Sequence, residues 1–412
     1  MKYIIDGQVV LSRPLEGPLA AQIAAFAKWA REQGYAFQSR YRRVLLAAGF
    51  SRWLGEQAVR RRYVISEHPA RYLRSRARRV QVQEGDAAAL KQFLDFLRRH
   101  GVIPAEKISP RRLTPVEQET QAFDRYLGDE RALARATRLN YVPFIRDFLS
   151  ERFGSGAVML SRLCAGDVVR FVQRQAARLN LKRAKLLTSA LRSFLHYARY
   201  RGAITLDLAA AVPPVANWSM LSIPRAIPAD SVRRLLASIS RRTAMGRRDY
   251  AIVLLLARLG LRSSEVAFLE LDDIDWNAGH VSVRGKGGQR TMLPLPADVG
   301  AAIVAYLRHG RPHTTSRRVF LRARAPIRGF LGPSAIGSLV RHTLERAGVA
   351  APTKGAHQFR HALATQMLRH GASLAEIGEV LRHRSPETTR IYAKVDLTAL
   401  RTLALPWPGG VQ

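Results

Sequence analysis

The chain has 412 residues, too many for one ordinary core, so two or three domains are expected. Lys and Arg outnumber Asp and Glu by 67 to 31, a net charge of +36 that points to a polyanionic partner, and hydrophobic residues at 47% suffice to pack every domain. The longest apolar run, AIVLLLA at 251–257, is too short to span a membrane, and a single cysteine, Cys164, excludes an intrachain disulfide and a cysteine-ligated zinc cluster.

In chain order, YIIDGQVVL near the start alternates like a strand pair around an Asp-Gly turn. Asp6 stands where a secretory signal would be apolar, so a cytoplasmic, nucleoid-associated protein without membrane attachment is expected. The next two hundred residues carry apolar side chains at helical spacing in LAAQIAAFAKWA, SRYRRVLLAAGFSRWL and AALKQFLDFLRRHG. Within this region AALKQFLDFLRRHGVI at 88–103 aligns with SALRSFLHYARYRGAI at 189–204. The offset of 101 pairs Leu90 with Leu191, Phe93 with Phe194, Gly101 with Gly202 and Ile103 with Ile204. Upstream, RYLRSRARR at 71–79 faces RFVQRQAAR at 170–178, and Phe26 to Trp53 is spaced like Phe123 to Leu149. The expectation is a duplicated helical module, one copy near 15–105 and the other near 116–210. Excess positive charge is spread over residues 1–115, 116–215 and 216–412 as +13, +7 and +16, as in a protein that wraps its partner.

Proline-rich breaks at ISPRRLTP and VPPVANWSMLSIPRAIP divide the chain into 1–110, 116–212 and 225–412. The last segment mixes a buried helix, DYAIVLLLARLGL, with two short strands, HVSVRG and RTMLPLP, and further helices. The fold class expected is therefore multidomain, with all-α N-terminal modules followed by a mixed α+β domain.

Four stretches of that domain carry chemistry. In ARLGLRSSEVAFLEL a helix ends at Gly260, and Ser263 or Ser264 can cap the next, leaving Arg262 at a helix start where an anion is favoured. Gly285-Lys286-Gly287-Gly288 places Lys286 at the tip of a hairpin, without the spacing of a nucleotide P-loop. In KGAHQFRHALATQML, His357, Arg360 and His361 share one helix face. Gln358 stands where a zinc protease needs glutamate, and an Arg between two imidazoles suits an anion better than a cation. Finally, in LRHRSPETTRIYAK, Ser385 and Pro386 begin a helix just after His383 and carry Tyr392 about two turns on. Taken singly, each stretch reads as a surface turn, a solvated basic face or, for Tyr392, a core aromatic. Together they supply cations for non-bridging oxygens, a proton donor and a nucleophile, with no paired carboxylates for metal ions beside them.

The ordered set GLRSSE, GKG, HQFRH and LRHRSPETTRIY resembles the catalytic domain of the tyrosine recombinases, the phage integrase family. Residues 116–210 are similar, less specifically, to that family's helical core-binding domain, and the tail YAKVDLTALRTLALPWPGG is similar to transposon-type, mobile-element integrases. The resemblance implies that Tyr392 attacks a scissile phosphate to give a 3′-phosphotyrosyl link. Arg262 and Arg360 would clamp the non-bridging oxygens, His357 and His383 would assist binding and proton transfer, and Lys286 would protonate the leaving 5′ oxygen. Glu265 and His361 would support them. It further implies double-stranded DNA recombination sites as substrate, a homo-tetramer on synapsed DNA passing through a Holliday junction, companion recombinases as partners, and no metal or other cofactor. Integration, excision or transposition of a mobile element is the expected outcome. An architectural DNA-binding protein, or a topoisomerase or resolvase using the same covalent step, is the alternative. Two positions leave the family pattern: Arg382 stands where glycine is usual and could add a DNA contact or alter the approach to Tyr392, and Lys394 stands where histidine is common.

Overall fold

The computed structural model describes residues 3–5, 8–11, 14–106, 113–215, 226–285, 288–383 and 385–395. It divides the chain into two compact units, Lys107–Leu221 and the remainder, Met1–Glu106 with Ser222–Gln412.

In the larger unit, strands β1 (Tyr3–Ile5) and β2 (Gln8–Leu11) pair antiparallel and precede four helices: α1 (Ile23–Glu32), α2 (Phe37–Glu56), α3 (His68–Ala77) and α4 (Asp86–Arg99). Helix α4 starts where Asp86 fixes Arg42 of α2 at 2.7 Å, and it stops at Gly101, whose φ of +66° is the left-handed conformation that ends helices. The core of this module is aromatic. Phe26 lies against Phe93 at 4.8 Å and Phe96 at 5.5 Å between ring centres, Trp29 meets Phe96 at 5.8 Å, and Phe50 meets Tyr72 at 5.6 Å.

The smaller unit contains α5 (Pro115–Asp129), α6 (Arg135–Phe153), α7 (Ala165–Ala176) and α8 (Leu181–Tyr200). Thr114 and Glu117 exchange hydrogen bonds at the start of α5, and the Asn180 side chain accepts from the Arg183 amide at the start of α8. Gly202, at φ +70°, ends α8. Here Phe123 lies against Phe194 at 5.3 Å and Tyr197 at 5.3 Å, Tyr126 meets Tyr197 at 4.8 Å, and Phe148 meets Phe171 at 5.1 Å. The pattern of ring partners is the one found in the first module, at offsets of 97 to 101 residues. Cys164, exposed just before α7, donates from its amide to Asp167 Oδ2 at 3.1 Å.

Residues 226–395 return to the larger unit. Helix α10 (Ala244–Leu259) is its central post, and Ala251, Ile252, Val253 and Leu255 are fully buried along it. Around α10 stand α9 (Ala229–Ser238), the short α11 (Ser263–Ala267), a three-stranded antiparallel sheet and four further helices. The sheet runs β3 (Ile274–Asp275), β4 (His280–Arg284) and β5 (Arg290–Pro294), and the helices are α12 (Ala297–His309), α13 (Pro333–Arg346), α14 (His357–Arg369) and α15 (Leu374–Val380). Arg284 pairs with Arg290, so the expected hairpin forms; its tip residues Lys286 and Gly287 lie outside the described residues. This is the expected order, helical N-terminal modules followed by a mixed α+β domain. No described helix is long and apolar enough to cross a membrane.

Candidate active site

Three chain segments converge on Arg360. From the buried face of α14 its Nη1 donates to Gly260 O at 2.7 Å, and its Nη2 donates to Leu381 O. Those carbonyls immediately precede the segments carrying Arg262 and Arg382, so one side chain, 1% exposed, joins three stretches far apart in sequence. Gly260 is required twice over. Its φ is +57°, and a β-carbon there would lie 3.0 Å from both Leu363 and Leu381. Burial, then the neighbouring guanidinium groups of Arg262 and Arg382, lower the Arg360 pKa to about 10, which leaves it cationic at neutral pH.

Arg262 sits at the start of α11. The expected serine cap does not form: Glu265 instead accepts the Arg262 amide on Oε2 at 2.8 Å, and its Oε1 accepts from Arg262 Nη1 at 2.7 Å. Arg262 itself is the N-cap, which leaves Ser263 and Ser264 inside the first turn, and Glu265 three residues on closes the cap by accepting both donors of Arg262.

The expected helix after His383 is also corrected. Two 3-10 segments, Pro386–Thr388 and Arg390–Val395, replace it, and Ser385 makes no side-chain cap. The Thr389 side chain turns inward at the break between them, sharing a 2.8 Å hydrogen bond with His383 Nδ1. Sequence reasoning overlooked Thr389; its only signal was a small hydroxyl six residues from a candidate histidine.

Tyr392 emerges from this tighter path 1% exposed, packed against Ala364, Ile377 and Leu381. Its hydroxyl lies 2.9 Å from His361 Nδ1, and His361 in turn stacks edge-on with His357 at 4.7 Å between ring centres. Tyr392 is thus both a core aromatic and a member of the polar cluster. Burial pushes its pKa up to about 12, against the pull of Arg360. Burial also lowers His361 to about 4, assisted by His357 and Arg360, and lowers His383 to about 4, assisted first by Arg360 and then by Arg262. At neutral pH both imidazoles are uncharged, so Nδ1 of His361 can accept a hydrogen bond from the Tyr392 hydroxyl. A groove of about 380 Å³ beside His383 is lined in part by Arg382, Thr389 and Arg390.

The structure therefore brings Arg262, Glu265, Arg360, His361, His383 and Tyr392 together around the Arg360 strut, with exposed His357 at their edge. Among the described residues no group of three or more His, Cys, Asp or Glu side chains is arranged to hold a metal ion. Lys394, two residues past Tyr392, keeps a buried Nζ without a hydrogen-bond partner among the described residues.

Residues 225–398 match the phage integrase family. Over the whole of both chains the sequence is 59% identical to y4rA of Sinorhizobium fredii, named as an integrase/recombinase. It is also 31% identical over 308 residues to tyrosine recombinase XerD of Mycobacterium tuberculosis, covering 71% of this chain and 96% of that protein. Among solved structures, a XerH site-specific recombinase bound to its palindromic difH substrate aligns with a TM-score of 0.55 at 19% identity, over 69% of this chain and 83% of that one. A lambda integrase tetramer bound to a Holliday junction aligns with a TM-score of 0.52 at 14% identity, over 76% and 88%. At those identities the two likenesses speak for the fold. The sequence relatives carry the assignment: the chain belongs to the phage integrase family and is a tyrosine-type site-specific recombinase.

Proposed function

We propose that this recombinase cuts and rejoins double-stranded DNA at recombination sites, with Tyr392 as nucleophile. The observation that carries the assignment is the 2.9 Å contact between the Tyr392 hydroxyl and a neutral His361, set beside the Arg360 strut. In the forward step the Tyr392 oxygen attacks phosphorus, its proton passes to His361 Nδ1, and the 5′ oxygen leaves carrying a proton from Lys286. Arg262 and Arg360 offset the charge that builds on the non-bridging oxygens, with His357 and His383 as further donors. One phosphodiester is exchanged for one phosphotyrosyl ester, so the 5′ hydroxyl of another strand reverses the step without a nucleotide being consumed.

Residues 225–412 form the catalytic domain in this reading, 116–212 the core-binding domain, and 1–110 a second copy of that helical module. The matching ring partners of Phe26, Trp29, Phe93 and Phe96 with those of Phe123, Tyr126, Phe194 and Tyr197 support the duplication. A tetramer on synapsed DNA resolving through a Holliday junction, companion recombinases on a mobile element, and a cytoplasmic, nucleoid-associated location complete the proposal.

Incubation with nicked suicide duplexes carrying the element's junctions tests it. The native protein is expected to form a DNA adduct that survives denaturation, and Tyr392→Phe to form none. An adduct that persists in the phenylalanine variant, or none with any junction sequence, would sink the assignment.

A further inference from the structure

Glu265 is a fully buried carboxylate, with 0% of its side chain exposed, held between two guanidinium groups. Oε1 accepts from Arg262 Nη1 at 2.7 Å and Oε2 accepts from Arg382 Nη2 at 2.9 Å. Arg382 also accepts, through its own carbonyl, from Arg262 Nη2 at 3.1 Å, which closes a ring of three residues from two distant segments. Its remaining terminal nitrogen donates to Val380 O at 3.2 Å. Arg382 adopts φ +55°, a conformation in which glycine is unstrained and a residue with a β-carbon is not. A long cationic residue kept in that conformation points to a role for its side chain. Direct capture of DNA is disfavoured, because the side chain is only 8% exposed and both terminal nitrogens are already bonded.

Arg262, by contrast, has 28% of its side chain exposed. Both of its terminal nitrogens are occupied, one by Glu265 and one by the Arg382 carbonyl. Each terminal nitrogen keeps a second N–H, but the Glu265 bond fixes where the guanidinium points, so turning the fork on to a phosphate means loosening that bond. Leaving a buried carboxylate without a cation is strongly unfavourable, whereas a carboxylate that keeps one close guanidinium partner tolerates the exchange.

We propose that Arg382 is a positioning residue for strand cleavage: it holds the charge of Glu265 so that Arg262 can trade its carboxylate bond for one to the scissile phosphate. The proposal rests on the recombinase chemistry above, with Arg262 as a phosphate ligand.

The test uses the full chain, a nicked suicide duplex and single-turnover adduct formation at saturating protein. Arg382→Gly fits the backbone and is expected to slow adduct formation roughly tenfold or more while DNA affinity stays within about threefold. Arg382→Lys, which keeps the charge, is expected to retain most of the rate. The discriminating variant is Arg382→Gly combined with Glu265→Gln. Removing the carboxylate's charge removes the need for Arg382, so the pair is expected to be faster than Arg382→Gly alone, by roughly threefold or more. A purely structural role for Arg382 gives a double variant no faster than the single one, and that result overturns the proposal, as does a native rate in Arg382→Gly. If Arg382→Gly lacks a cooperative thermal transition, Arg382→Asn, which also accepts positive φ, takes its place with the same expectations. Absence of adduct in the native protein would overturn the recombinase reading and this proposal together; adduct in the native protein at a rate the Arg382 variants do not change overturns this proposal alone.

Discussion

Several side chains around Arg360 are set by contacts they already make. His361 is the clearest case. Its lowered pKa of about 4, against about 6.5 for a free imidazole, means that the unfolded chain takes up protons between those values while the folded site resists them, and His383 behaves alike. Their contribution to stability is therefore fully present above about pH 6.5 and is lost as pH falls toward 4. Urea midpoints are expected to fall steadily across that window, and the double variant His361→Gln, His383→Gln is expected to flatten the fall. A native midpoint independent of pH between 6.5 and 4 would show that the imidazoles are not shielded. In activity, His361→Gln removes the proposed acceptor of the tyrosine proton and is expected to slow adduct formation by roughly a hundredfold, within the usual range for a general base. At this scale the sequence is informative about identity and silent about pairing. Arg262, Arg360, His383 and Tyr392 are legible from their order and spacing. That Arg360 bonds to backbone at Gly260 and Leu381, or that Arg382 reaches Glu265, is not, because these bonds join residues 21 to 117 positions apart.

Elements are legible where their periodicity is long and obscure where it is short. Helix α10 and the β4–β5 hairpin follow from apolar pattern and turn residues. The stretch after His383 looks helical because Ser-Pro-Glu is a good helix start, yet it forms two 3-10 segments with the buried Thr389 at the break between them, bonded to His383, and Tyr392 buried in the second. The two aromatic-cored modules permit a sharper expectation. Phe93 and Phe194 are each 0% exposed, and each packs only among residues of its own cluster. Truncating either to alanine is expected to cost about 3–5 kcal/mol. Hydrogen exchange should accelerate in 14–106 for Phe93→Ala and in 113–215 for Phe194→Ala, each leaving the other module protected. Acceleration in both modules from one substitution would mean that they do not hold independent cores.

At the level of the whole molecule the dominant fact is charge, and its placement is uneven in availability. Between residues 60 and 79 stand Arg60, Arg61, Arg62, Arg71, Arg74, Arg76, Arg78 and Arg79 against a single Glu67. None of these arginines makes an ion pair with a carboxylate among the described residues. In the other module the corresponding helix has Arg170 paired with Asp167 and Arg174 with Glu151. This segment of the first module therefore keeps its arginines clear of carboxylate partners among the described residues, whereas the corresponding helix of the second module pairs two of its own internally. Replacing Arg71, Arg74, Arg78 and Arg79 by glutamine is expected to lower the slope of log affinity for duplex DNA against log salt by roughly 3 to 4, at about 0.9 for each phosphate no longer neutralised. An unchanged slope would place this module away from the DNA.

The exposed thiol ahead of α7 has a practical side. Cys164 is the only cysteine in the chain, so a maleimide dye has one address on the native sequence. A fluorophore there would test the proposed arrival of DNA at the central module in real time, without removal of other cysteines.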